Sequence, residues 1–422
     1  MIGTLDTKGE EIGFLADAIV EAGGMPILLD SSVSGRPAES GFPLISSAQV
    51  ARASGTTLEE IAELPRGEAV EKMRDGVRET TEALVASGRA DGAICIGGAG
   101  AHVAGPAFQA LPVGFPKLVV TPLASGRRQF EPYVGVRDVA VMHSVADIAG
   151  LNEITEKVCR TAAGYIVGAA RMCVAGAVQP VDGRSRPTVA VSMNGNTTTA
   201  MDHGRLRLEA EGYAVVTFHA NGVGGRALED LVSAGRAAAV LDFTTTELGA
   251  GLVGGLMQTT PTRMEGAGKL GIPQVLVPGC VDFITAGNWE DAEREFPGRT
   301  MFHHNPELTL VRLTAAEMAE LGSIFAKKAN GARGPTSILI PSGGFSIPDS
   351  PGGPFWDPEA DGAFIESLQR DTRPDVKVEV LPAHINDGVF ADTAVEELLA
   401  LIHETRSHAT PAIDGAAQQE RA

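Results

Sequence analysis

Cysteine is scarce in this chain, with four in 422 residues. Cys95, Cys159, Cys173 and Cys280 lie far apart with no CxxC spacing, which excludes a disulfide framework and a zinc knuckle. Their plain reading is small buried hydrophobes in a reducing compartment. Basic residues are also short: 34 Lys and Arg face 53 Asp and Glu, a net charge of −19. That field opposes a nucleic-acid backbone or an anionic membrane as partner. It leaves a nucleotide open, because one lysine and a divalent cation override it locally. No apolar run approaches the roughly 18 residues that cross a bilayer, and no signal peptide precedes Asp6, so a cytoplasmic protein is expected.

What is present is an ordinary globular mix, 44% hydrophobic and 21% charged, with 51 glycines, in a chain too long for one core. Apolar runs of a few residues recur between helical stretches: Met25 to Leu29, Gly92 to Ile96, Leu118 to Val120, Thr188 to Met193, Ala214 to Phe218, Ala238 to Leu241, Gln274 to Val277, Ser337 to Ile340 and Val376 to Leu381. Continuous rather than alternating apolarity says that both faces are covered, as in a parallel sheet with helices on each side. The reading is a doubly wound α/β fold. A polar stretch with two prolines, Gln179 to Pro187, follows a long helical segment from about Ile154 to Ala175 and marks a domain boundary. The expected division is a first subdomain over 1–180, a second over 187–405, and a polar tail over 406–422. At the other end only Met1 and Ile2 precede the first loop, so either the first strand is very short or the start codon is internal.

Seven apolar runs stop at clusters of small or hydroxylated residues. The first, Gly3 to Gly9, places Thr4, Asp6, Thr7 and Lys8 in one turn before a helix. A cation, a carboxylate and hydroxyls thus surround free helix-end donors, unless Asp6 or Thr7 merely caps the helix. It is not a Walker loop, which requires GxxxxGK[ST]. The second, with Gly97, Gly98 and Gly100, offers backbone N–H groups without side-chain bulk. Such loops suit phosphates, and both are read as cofactor-binding.

In the second half, Asn194 to Thr199 brings amide and hydroxyl side chains after a strand. His219 opens a loop with Asn221, Gly222, Gly224 and Gly225, further donors for a cofactor, and is a candidate general base. Asp242, Glu247 and Asp282 add carboxylates at presumed strand ends. These three are candidates for chemistry with His219, and each of Asp242 and Asp282 is either a Mg²⁺ ligand or a helix cap. His303 and His304 on an extended segment would point to opposite faces. The segment from Pro341 to Pro358 reads as a long loop of the lid or interface kind.

Taken together, Ile2 to Glu10, Phe218 to Ala227, Thr244 to Leu248, Gly271 to Val275, His304 to Pro306 and Phe355 to Asp361 resemble the Tm-1-like ATP-binding family, also called UPF0261, over almost the whole chain. The resemblance implies two Rossmann-like subdomains with mainly parallel sheets and a cleft between them. It also implies ATP with Mg²⁺ and a homodimer, and the function expected here is an enzyme that uses the nucleotide with a small acidic metabolite. Asp6 would then be the metal ligand, and hydrolase, phosphotransferase or ligase chemistry is in view. A plant relative carries the module fused to a phosphoenolpyruvate-hydrolase-like barrel, which implies a separately encoded partner here. The family loop usually reads Gly-Gly-Ser-Gly-Gly-Thr, whereas Gly97 to His102 lacks both hydroxyls. A binding module without catalysis, or a hydrolase or lyase with His219 as base, are the alternatives.

Overall fold

The computed structural model describes residues 1–34, 39–124, 131–176 and 186–409. Residues 179–185 of the expected boundary stretch Gln179 to Pro187, and the tail beyond residue 409, lie outside the described residues. The chain divides into two compact units, residues 1–183 and 184–422.

In unit 1, six strands make one sheet: β1 (Ile2–Gly3), β2 (Leu28–Asp30), β3 (Leu44–Ile45), β4 (Ala93–Ile96), β5 (Lys117–Thr121) and β6 (Ala140–His143). Their order is β3-β2-β1-β4-β5-β6, and every pairing is parallel. Both faces are covered, which is why β4 and β5 are apolar without alternation. On one face Ile12, Leu15 and Ile19 pack with Cys159, Ala162 and Ile166. On the other, Ala101, Ala104 and Phe108 pack with Val50, Met73 and Val77. Burying each such large side chain contributes roughly 1.5–3 kcal/mol. The run expected as a strand from Met25 becomes one only at Leu28, because Pro26 has no N–H for the ladder.

Unit 2 holds β7 (Thr188–Met193), β8 (Ala214–His219), β9 (Ala239–Thr244), β10 (Gln274–Gly279), β11 (Phe283–Ala286), β12 (Met301–Asn305), β13 (Leu308–Arg312), β14 (Thr336–Pro341) and β15 (Lys377–Leu381). Six of them form a parallel sheet in the order β15-β14-β10-β9-β7-β8. The fold is therefore α/β with two doubly wound parallel sheets, as the apolar runs require. An antiparallel sheet, β11-β13-β12, is an addition that the runs did not announce. It carries His303 and His304 on the exposed strand β12. The helix Ala315–Asn330 that follows begins with a capping box, in which Glu317 N donates to Thr314 Oγ1 and Thr314 N to Glu317.

Candidate functional site

In a doubly wound sheet the strand order reverses once, and helices leaving the two strands at that point go to opposite faces, opening a crevice at their carboxyl ends. In unit 1 the reversal lies between β1 and β4. The two loops singled out in the first half of the sequence are therefore neighbours. A Cβ built on Gly100 would lie 3.5 Å from the Thr4 methyl, and one on Gly98 4.0 Å from an Asp147 oxygen.

The two loops differ in what they leave free. After β1, the first amides of the helix Leu5–Glu21 are held by the chain itself. Leu5 N donates to Asp30 Oδ1 and Asp6 N to Ser32 Oγ, both at 3.2 Å. Asp30 closes β2, is buried, and also accepts the Ser32 amide at 3.0 Å. Asp6 accepts from Ser32 Oγ through Oδ1 at 2.9 Å. The Thr4 and Thr7 hydroxyls meet at 2.9 Å, and Thr4 gives the helix no side-chain cap. Lys8 departs from helical geometry and sends its Nζ to the Ile148 carbonyl. After β4, by contrast, the amides of Gly98 and Gly100 find no acceptor among the described residues. Free N–H groups in so tight a loop of small residues attract an anion. Beside them His102 stacks on the buried Tyr133 ring, centroids 4.7 Å apart. Partial burial, and then the Arg74 charge, hold that imidazole below its usual pKa.

A cavity of about 730 Å³ in unit 1, lined by Met1, Ile27, Pro43, Gly92 and Ile166 among others, lies at the amino ends of the strands. That is the opposite end of the sheet from Thr4 and Gly98.

In unit 2 the reversal lies between β7 and β9, and the chain fills it. The Thr197 and Thr244 hydroxyls bond across it at 2.8 Å, while Thr245 and Thr246 donate to the Val277 and Phe283 carbonyls. Asn194 accepts from the Cys280 thiol. Around Arg263, which is fully buried, the carboxylates of Asp242, Glu247 and Glu229 converge. Arg263 grips both Asp242 oxygens at 2.5 and 2.7 Å and donates through Nε to Glu247 Oε2 at 2.5 Å. The other oxygen of Glu247 accepts the amides of Gly222 at 2.6 Å and Gly225 at 3.1 Å. Gly224 N donates to Asn221 Oδ1. The Gly222 and Gly225 amides are thus held by an internal carboxylate and that of Gly224 by Asn221.

Asp282 belongs to a separate cluster. It is buried in the turn between β10 and β11, accepts from Ser346 Oγ at 2.7 Å, and has no partner for Oδ1. Burial, then the Asp349 charge, push its carboxyl up to about 7, and Asp361 rises to about 8 for the same two reasons. Arg312 donates to Asp361 Oδ1 at 2.5 Å.

Of the residues singled out, the structure brings Thr4, Gly98 and Gly100 together in unit 1, with Asp6 and Lys8 in the same loop as Thr4. Asp242, Glu247, Gly222 and Gly225 form one network in unit 2. His219 ends the edge strand β8 with its side chain exposed, apart from Asp282. Sequence reasoning missed Asp30 and Ser32, although an acid closing the second strand of such a sheet is a readable position. It also missed Arg263, Arg312 and Asp349, for which no local pattern speaks. Among the described residues no group of three or more His, Cys, Asp or Glu is placed to hold a metal ion, and no helix is long and apolar enough to cross a membrane.

Two family models match the chain: the N-terminal domain of the uncharacterised protein family UPF0261 over residues 1–175 and its C-terminal domain over 186–402. A UPF0261 protein of Clostridium tetani is 36% identical over 96% of this chain and 98% of its own length. One from Rhizobium meliloti is 35% identical over 94% and 96%. The tomato mosaic virus resistance protein Tm-1 of Solanum lycopersicum is 36% identical over 75% of this chain, which spans 42% of that protein.

Proposed function

The chain belongs to the UPF0261 family, and on that footing we propose that it binds ATP with Mg²⁺ at the carboxyl rim of the unit 1 sheet. The observation that carries this reading is the pair of unpaired amides of Gly98 and Gly100 beside Thr4. A phosphate needs donors that nothing else holds, and glycine N–H groups supply them without bulk. The loop after β1 then plays a different part. Asp6 has only Oδ1 engaged, by Ser32, so its other oxygen suits Mg²⁺, an oxygen-seeking ion that shares its shell with phosphates and water. Lys8 has two ammonium protons beyond the one on Ile148. When bound, the metal offsets phosphate charge, and this chain's residues place and orient the phosphates.

Asp242 and Glu247 favour a second reading of unit 2. Both have both oxygens held inside the protein, which suits a framework rather than a reacting group. A nucleotide-gated binding module needs no more than that, whereas an ATP-consuming enzyme acting on a small acid needs groups elsewhere on unit 2. The homodimer goes with either reading.

Thermal denaturation with ATP, ADP, sugar phosphates and small organic acids, each with and without Mg²⁺, tests the proposal. Ligand at 100 times its Kd stabilises by about 2.7 kcal/mol. A shift with ATP that grows with Mg²⁺ is expected, and no shift with any nucleotide overturns the reading. Phosphate release then separates turnover from binding.

A further inference from the structure

β6 closes one edge of the unit 1 sheet, two strands from β4, yet the chain that leaves it comes back to the loop after β4. It first makes a strained turn. Val145, a β-branched residue, has a backbone φ of +66°, its amide donates to His143 Nδ1 at 2.9 Å, and Ser144 Oγ donates to the Ala146 carbonyl at 2.6 Å. Beyond the turn, the helix Leu5–Glu21 holds the segment at two points. Lys8 Nζ donates to the Ile148 carbonyl, and the buried Glu11 accepts the Gly150 amide through Oε1 at 2.7 Å.

Asp147 lies between the turn and these two anchors. Its Oδ1 accepts the Ile148 amide at 2.8 Å and stands 4.0 Å from a Cβ built on Gly98. Its Oδ2 has no partner, and no cation pairs with the carboxylate, among the described residues. It is therefore near enough to act on an anion at the Gly98 amide, and it leaves that amide unbonded. Thr4 flanks the same loop at Gly100, so a carboxylate and a hydroxyl residue bracket the two free donors.

Free amides attract any anion, and an unpaired carboxylate beside them works against each one. A divalent cation reverses that, since it draws in both charges, and Mg²⁺ is commonly held through one or two carboxylates together with phosphate oxygens and water. Resting on the nucleotide reading above, we propose that Asp147 is a specificity-determining residue of the unit 1 loop: it turns away bare phosphates and admits a nucleotide in preference as its complex with a divalent cation. The strained turn and the Lys8 and Glu11 anchors keep its charge in place. Asp6 reaches the metal in that reading, and Asp147 adds the discrimination.

Titration calorimetry on the full chain, with ATP in Mg²⁺, ATP in EDTA and inorganic phosphate in EDTA as the three probes, tests this. The parent should take ATP at least about tenfold more tightly with Mg²⁺ than without, and bind no phosphate. In Asp147→Asn, which keeps an acceptor for the Ile148 amide, affinity for ATP in EDTA should rise until the two forms bind within about threefold of each other, and phosphate binding should become measurable. Asp147 is exposed, so the variant should melt as the parent does without ligand. Should it not fold, Asp147→Ser keeps an acceptor there and reads the same way. A variant with the parent's ratio of affinities overturns the inference and leaves the nucleotide site standing, as does a parent that takes bare ATP as tightly as the magnesium complex. A parent that binds neither form overturns the nucleotide reading and this inference with it.

Discussion

Glu247 lies so close under Gly225 that a Cβ built on the glycine would stand 2.1 Å from Oε2 and 2.4 Å from Oε1. The carboxylate occupies the place a ligand phosphate takes in a helix-end anion site, and it arrives with its own counter-ion, Arg263. Glycine is required here for close approach. At Gly222 it is required also for a backbone φ of +89°.

Gly225→Ala should therefore destabilise unit 2 whatever ligand is present. Overpacking of this kind costs about 1–3 kcal/mol, and Glu247 cannot swing away without leaving Arg263. The urea midpoint measures it. A variant as stable as the parent would mean that Glu247 is mobile.

Arg263→Ala leaves Asp242 and Glu247 buried without a counter-ion, which costs about 3–5 kcal/mol. His219→Ala, at an exposed edge-strand end, should change stability by less than about 0.5 kcal/mol. Measured side by side, the two separate a framework residue from one free to act on a ligand.

Thiol reactivity should follow exposure. Cys173 is exposed, while Cys95, Cys159 and Cys280 are buried, and burial pushes the Cys95 thiol up to about 12 and Cys159 to about 11. The thiolate is the reactive form, so native alkylation should label one thiol per chain and all four only after unfolding. Labelling of Cys280 in the native protein would contradict its burial.

Stability should fall as pH rises from 5 to 8. Asp282 and Asp361 keep protons to about 7 and 8 in the folded chain, whereas unfolded carboxyls lose them near the ordinary value of 3.8. Below that value both states are protonated and the contribution is complete; it is lost as pH climbs through the folded values. Carboxylates held low, such as Glu317 beside Arg299, act in the opposite sense but finish below pH 5. Urea midpoints from pH 5 to 8.5 should decline, and Asp361→Asn should flatten the decline.

The sheets were legible because a strand buried on both faces writes itself as an unbroken apolar run, as Ala93–Ile96 does. Glycine-rich loops were equally visible, but their occupants were not. Nothing local distinguishes Gly98, whose amide is free, from Gly222, whose amide is held by a carboxylate 25 residues away. That difference depends on Glu247 and Arg263 meeting across the fold. The antiparallel strands β11 to β13 were missed because they are short and follow no helix–strand alternation. His219 looked poised for chemistry by residue type alone, and its exposed place on an edge strand is a matter of strand order.

Gly100 is exposed, and a side chain there meets only Thr4 at ordinary contact distance, so Gly100→Asp should fold as the parent does. Its carboxylate would stand beside the free amides of Gly98 and Gly100 and repel a phosphate. Titration calorimetry of ATP with Mg²⁺ into both proteins is the direct test. Saturable binding to the parent, weakened at least tenfold in Gly100→Asp with an unchanged apo melting temperature, is the predicted result. Equal affinity in the two proteins, or no binding to the parent, would contradict the assignment of the phosphates to this loop.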